Sequence, residues 1–134
     1  MTTSEPTAST APPALGHYRQ AVIAPGSTLH IAGQVAVDDA GDVVGVDDVD
    51  AQADQVAVNL AAVLADAGCS LADVLALRVY VTTKDAARAW ARVRLDLFPV
   101  DPPASTLVVV AGLASDDWLI EVEAVAAPPS GGAR

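Results

Sequence analysis

Between Val49 and Ala126 the apolar residues change their period repeatedly, and the order of those changes is the strongest constraint on the fold. Val49, Ala53, Val56, Leu60, Val63, Leu64 and Ala67 recur at spacings of three and four, the stripe of an amphipathic helix. Asp47 or Asp48 supplies its N-cap and Gly68 its C-cap. The period then drops to two: Leu75, Leu77, Val79 and Val81 alternate with Val74, Ala76, Arg78 and Tyr80, as in a strand. After Thr82-Thr83 it returns to the helical value, with Ala86, Trp90, Val93 and Leu97 on one side and Arg88, Arg92 and Asp96 on the other. Beyond the rigid Asp101-Pro102-Pro103 loop, a nearly all-apolar strand over Thr106 to Val110 and a last strand over Trp118 to Ala126 complete the series.

Upstream, residues 18 to 23 alternate as a first strand closed by Pro25-Gly26, and Thr28 to Val37 forms its hairpin partner. Asp38-Asp39-Ala40-Gly41-Asp42 is a turn leading to Val43-Val44, a short further strand. The order ββ(β)αβαββ predicts an α+β domain with two helices packed on one face of a mixed sheet. Val-rich strands leave the other face apolar enough to predict burial in a symmetric oligomer.

At 134 residues the chain is one domain, and no apolar run approaches the roughly 20 residues of a membrane-spanning helix. A net charge of −10, with 17 acidic residues against seven basic ones, repels phosphate backbones and argues against nucleic acid as a partner. Arg88, Arg92 and Arg94 share one helix and read as a solvated face. A single cysteine, Cys69, cannot form an intramolecular disulfide; it reads as a buried apolar residue in a reducing cytoplasmic protein. Residues 1 to 13, rich in Ser, Thr, Ala and Pro, lack a basic and apolar leader pattern and read as a disordered tail, as do residues 128 to 134. His17 and His30 are isolated, so no metal site is expected.

Four separated blocks match one family in order and spacing: Leu15-Gly16-His17-Tyr18-Arg19-Gln20-Ala21-Val22, Ile31-Ala32-Gly33-Gln34-Val35, Pro102-Pro103-Ala104-Ser105-Thr106 and Ile120-Glu121-Val122-Glu123-Ala124-Val125-Ala126. On these blocks residues 14 to 127 resemble the Rid (reactive intermediate deaminase, YjgF-like) family. The resemblance implies a chorismate-mutase-like fold assembled as a homotrimer, with a small-molecule site in each cleft between neighbouring subunits. It also implies hydrolysis of reactive imines and enamines to a carbonyl compound and ammonia, with no cofactor. In the family an arginine holds the substrate carboxylate, a tyrosine shapes the pocket, a serine-bearing turn contacts the ligand, and a glutamate positions or activates water.

Residue by residue the match is partial. Tyr18 stands at the tyrosine position and Glu121 at that of the catalytic glutamate; Ala32 replaces the serine of the ligand-contacting turn, ahead of Gly33, and Ser105 replaces the arginine. No arginine or lysine occurs between Leu95 and Ala133 to take the missing role, leaving Arg19 and Arg78 as possible substitutes from other strands. A buried carboxylate without a guanidinium partner loses roughly 3 to 5 kcal/mol, so amino-acid-derived imines should bind poorly. Glu121 and Glu123, two apart on one strand, share a face, and their repulsion together with partial burial makes an acid/base group. Ser105 and Thr106 then offer neutral hydrogen bonds where charge is lost. The expectation is an enzyme acting on a small imine, enamine or carbonyl compound. The alternative is a non-catalytic ligand-binding or partner-binding trimer on the same scaffold.

Overall fold

The computed structural model describes residues 10–15, 19–23 and 28–129. The expected Pro25-Gly26 turn and Tyr18 lie outside the described residues. Within them the chain runs β1 (Ala21–Ile23), β2 (Leu29–Gln34), α1 (Val49–Asp66), a 3-10 turn (Leu71–Asp73), β3 (Val74–Val81), α2 (Lys84–Leu97), β4 (Ala104–Val109) and β5 (Ile120–Ala126).

Local chemistry sets the helix limits. Asp48 Oδ1 accepts from the Ala51 N–H at 3.0 Å to start α1, and Thr83 Oγ1 accepts from the Ala86 N–H at 3.0 Å to start α2. At the far end of α1, Gly68 takes φ of 72°, its N–H bonds to Ala65 and the Cys69 N–H bonds to Leu64, so a Schellman turn closes the helix. Thr10 also fastens there: its N–H meets both Asp66 oxygens at 2.7 and 2.8 Å, and its hydroxyl donates to the same carboxylate. The last residues of the expected N-terminal tail are therefore held against α1.

The strands form one five-stranded mixed sheet in the order β1-β2-β5-β3-β4, antiparallel except for the β3–β4 pair. The helices pack on one face, where Leu77, Val79, Val81, Ile120, Val122, Ala124 and Ala126 are all buried against Val56, Leu60, Leu64 and Trp90. Cys69 belongs to this core. The α+β class with two helices on one face of a mixed sheet is thus the observed architecture.

Two bulges modify the alternation. Between Ile31↔Ala124 and Gln34↔Val122, β2 advances one residue more than β5, which places the extra residue at Ala32-Gly33. Between Val74↔Ala126 and Ala76↔Val125, β3 carries the extra residue. The second bulge overturns one expectation. Leu75, in phase with Leu77 by simple alternation, is 51% exposed, and Val74 is buried instead. Val43 makes only an isolated bridge to Val37 and no strand. On the edge strand β4, Ser105, Thr106, Val108 and Val109 are exposed in the single chain.

Candidate active site

The strict alternation of β5 sends Ile120, Val122, Ala124 and Ala126 under the helices and turns Glu121 and Glu123 to the open face. Antiparallel register sets Tyr80 opposite Glu121 and Arg78 opposite Glu123. From there the Tyr80 hydroxyl reaches diagonally and donates to Glu123 Oε1 at 2.5 Å. The Glu121 carboxyl has no such partner: its side chain makes no hydrogen bond to another side chain among the described residues.

Glu121 lies instead against bare backbone. A Cβ added at Gly33 would stand 2.8 Å from Cδ and 2.9 Å from Cγ of Glu121, well inside van der Waals contact. Glycine at this bulge leaves room for the carboxyl in this position, and a larger residue would make the Glu121 side chain move, the close approach that glycine in a strand commonly marks.

Glu121 and Gly33 are shared by two adjoining clefts. One, of about 420 Å³, is walled by Leu15, Ala32, Val35, Ala114 and Trp118. The other, of about 320 Å³, is walled by Tyr80, Val110, Gly112, Leu113 and Glu123. Buried amides fix the surrounding backbone. Gln52, fully buried on α1, donates to the carbonyls of Gly45 at 3.0 Å and Asp117 at 2.8 Å and accepts from the Leu119 N–H at 2.9 Å. The Asp117 and Leu119 bonds fall on either side of Trp118. Gln34 donates to the Ala32 carbonyl at 3.0 Å, and Asn59 donates to the carbonyls of Val35 and Val37, so backbone groups released from the ladder near the bulge find partners.

The electrostatics divide the two carboxylates. Half-buried Glu121 has its pKa raised, first by desolvation and then by the neighbouring charge of Glu123. Tyr80 is raised chiefly because its proton is held in the bond to Glu123, so the phenol stays a donor to that carboxylate. The arrangement gives a carboxyl able to exchange protons beside a carboxylate that is already occupied.

Of the residues singled out in the sequence, Glu121, Ala32 and Gly33 come together around the larger cleft. Tyr18 and His17 lie outside the described residues. Ser105 and Thr106 are not brought to Glu121 within one chain. Register aligns Ser105 with Leu77, whose side chain goes under the helices, and aligns Thr106 with Arg78 on the open face. Two strand spacings, about 10 Å, separate Thr106 from the β5 carboxylates. Arg78 is exposed on Glu121's side of the sheet, and no basic residue lines either cleft among the described residues. On the helix face, Arg88 pairs with Asp85, and Arg92 with Asp50 and Asp54, so two of the helix's arginines are paired with acidic neighbours. Among the described residues no group of three or more His, Cys, Asp or Glu is placed to hold a metal ion, and no helix is long and apolar enough to cross a membrane. Sequence reasoning missed Tyr80, Trp118 and Gln52. The first needs the β3–β5 register to be seen, whereas the last left a signal: a long amide at a core-facing position of α1.

Comparison with known proteins agrees with this geometry. Residues 8–128 match the family model described as Endoribonuclease L-PSP. A RutC family protein of Pyrococcus horikoshii is 37% identical over 116 residues, covering 87% of this chain and 90% of that protein. The 3-aminoacrylate deaminase RutC of Acinetobacter baylyi is 34% identical over 121 residues, covering 86% and 90%. Among solved structures, the Rid-family protein YyfA of Yersinia pestis superposes with a TM-score of 0.85 at 30% identity, covering 94% of this chain and 99% of that one. Strand order, bulge and paired carboxylates thus sit on a scaffold shared nearly end to end with these relatives, and the chain belongs to the Rid (YjgF-like, L-PSP) family.

Proposed function

We propose that this protein is a hydrolase of small imines, enamines or related carbonyl compounds that lack a carboxylate, with Glu121 as its acid/base group. Family membership supports a small-molecule, deaminase-like role in general, and one relative carries the name 3-aminoacrylate deaminase. The observation that carries the reading here is Glu121 itself: half-buried, raised in pKa, and lying over Gly33 where two clefts meet. The carboxylate takes a proton from water as its oxygen bonds to the imine carbon, then returns a proton to the departing nitrogen.

The absence of basic residues from both cleft walls among the described residues supports the restriction to substrates without a carboxylate. So does Ser105 at the family's arginine position. Because Ser105 lies on the far side of the sheet from Glu121, the reading includes a homotrimer in which a second copy brings Ser105 and Thr106 to the cleft. Tyr18 shapes the pocket in this reading, which needs no cofactor and no nucleic acid, and the protein works in the cytoplasm. A non-catalytic binding trimer is the second reading, favoured by the loss of polar groups at both Ala32 and Ser105.

Ammonia release from 2-iminopropionate decides first. The rate should lie about 100-fold or more below that of arginine-bearing relatives, and Ser105→Arg should recover part of it. Hydrolysis of a carboxylate-free imine should fall by about 100-fold or more in Glu121→Gln. Equal turnover by wild type and Glu121→Gln would remove Glu121 as the acid/base group, and release no faster than the uncatalysed reaction in both would leave the binding trimer as the function.

A further inference from the structure

Resting on the hydrolase reading above, we propose that the cleft selects the imines formed by oxidation of simple primary amines: a protonated C=NH2+ group whose carbon bears an apolar or aromatic substituent. The two lobes divide the labour. Apart from Glu121, the larger lobe presents, among the described residues, Leu15, Ala32, Gly33, Val35, Ala114 and Trp118, which offer an apolar body no polar side chain. The smaller lobe carries Tyr80, Glu121 and Glu123 among apolar walls, so its ionisable side chains among the described residues are acidic or phenolic.

The apolar lobe is built in advance. Gln52 grips the backbone on both sides of Trp118, and the Trp118 wall therefore does not have to be ordered by the ligand. In the acidic lobe the proton of Tyr80 is committed to Glu123 at 2.5 Å, which leaves the phenol oxygen to accept from a ligand N–H. Among the described residues, a carboxylate entering here meets two carboxylates and has only Arg78, beyond the lining, as a nearby cation, whereas an iminium meets opposite charge with its substituent against Trp118. Arg78 lies on the same face in register with Glu123 but outside both lobes, so its removal is a control for anion binding from the rim.

The reaction is R–CH=NH2+ plus H2O giving R–CHO plus NH4+. The water oxygen bonds to carbon while Glu121 takes a water proton; the C=N π pair moves to nitrogen. Glu121 then protonates that nitrogen, the C–N bond breaks, and the hydroxyl proton leaves with ammonia as ammonium. No oxidant is consumed. The reaction that supplies such a substrate is the two-electron oxidation of a primary amine.

Benzylamine and benzoate, matched in ring and opposite in charge, test the selectivity by calorimetric titration of the full-length protein. Benzylamine should bind about ten-fold or more tightly than benzoate, and Glu123→Gln should remove most of that preference. Trp118→Ala should weaken benzylamine without reversing the preference. Equal or tighter binding of benzoate, failure of benzylamine to bind, or a preference indifferent to Glu123→Gln would each overturn the proposal. Benzoate binding that vanishes in Arg78→Ala would overturn it too, by showing an anion site. Ammonia release from the imine that an amine oxidase forms from benzylamine then separates this proposal from the reading beneath it. Selective binding without accelerated release removes the hydrolase and keeps the ligand class. Release no faster than from 2-iminopropionate removes the ligand class and keeps the hydrolase.

Discussion

On β5 the side chains of Ile120, Val122, Ala124 and Ala126 pass under the helices, while Glu121 and Glu123 stand on the other side of the same backbone. β3 repeats the division, with Leu77, Val79 and Val81 below and Arg78 and Tyr80 above. Side chains below differ only in size and shape, and each is at most 3% exposed. Those above differ in charge and proton affinity. A period of two thus lets adjacent residues serve separate ends: one side holds the sheet to its helices, and the other presents the chemistry on a surface that is already rigid.

If that division is real, neighbouring substitutions should fail in different ways. The largest effect belongs below the sheet. Leu77→Ala removes a side chain that is 1% exposed and leaves a cavity beneath α1 and α2, at a cost of about 2 to 5 kcal/mol. Chemical denaturation should show it as a lower midpoint at unchanged slope. Arg78→Ala, one residue along and exposed, should change stability by less than about 0.5 kcal/mol. Comparable losses for the two would mean that the open face is structural as well.

Gln52→Leu tests whether the buried side can reach the open one. The amide is 0% exposed and bonds Gly45, Asp117 and Leu119; leucine would leave those backbone groups unpaired, costing about 2 to 3 kcal/mol in total. The diagnostic readout is Trp118. Its fluorescence should shift toward that of solvated indole under conditions where the protein is still folded, while Trp90, fully buried in the helix layer, reports an intact core. Loss of stability with an unchanged Trp118 signal would confine Gln52 to packing.

How much of this was legible beforehand follows the same boundary. The stripes of α1 and α2 and the alternation of β3 and β5 were readable because each is a local period in one segment, and the caps at Asp48 and Thr83 are equally local. Leu75 was misread because a bulge is an agreement between two strands, and β3 alone contains no sign of its extra residue. For the site, Glu121 and Glu123 were readable as an i, i+2 pair. The Tyr80 bond to Glu123 was not, since it depends on cross-strand register. The position of Ser105 across the sheet from Glu121 depends on β4 joining β3 in parallel, a pairing that no residue near Ser105 encodes.

The smallest effect expected is a gain, and its sign follows from the proton affinity of Glu121. Desolvation and the charge of Glu123 raise its pKa in the folded chain, so above the ordinary carboxyl range the folded state holds this proton more tightly than the unfolded state. Stability then falls as pH rises from that range through the raised value, because ionising Glu121 costs more in the fold than in the open chain. Gln at 121 keeps the shape and cannot ionise. Glu121→Gln should therefore match the wild type near pH 4 and exceed it at pH 8, with the gap opening between them. Since the group is only half-buried, solvent screening holds the gain to about 0.5 kcal/mol, or roughly 2 °C in Tm for a domain of this size. A variant that is more stable at pH 8 yet inactive would place Glu121 on the chemical side of the sheet, whereas one less stable at both pH values would make its carboxylate part of what holds the fold together.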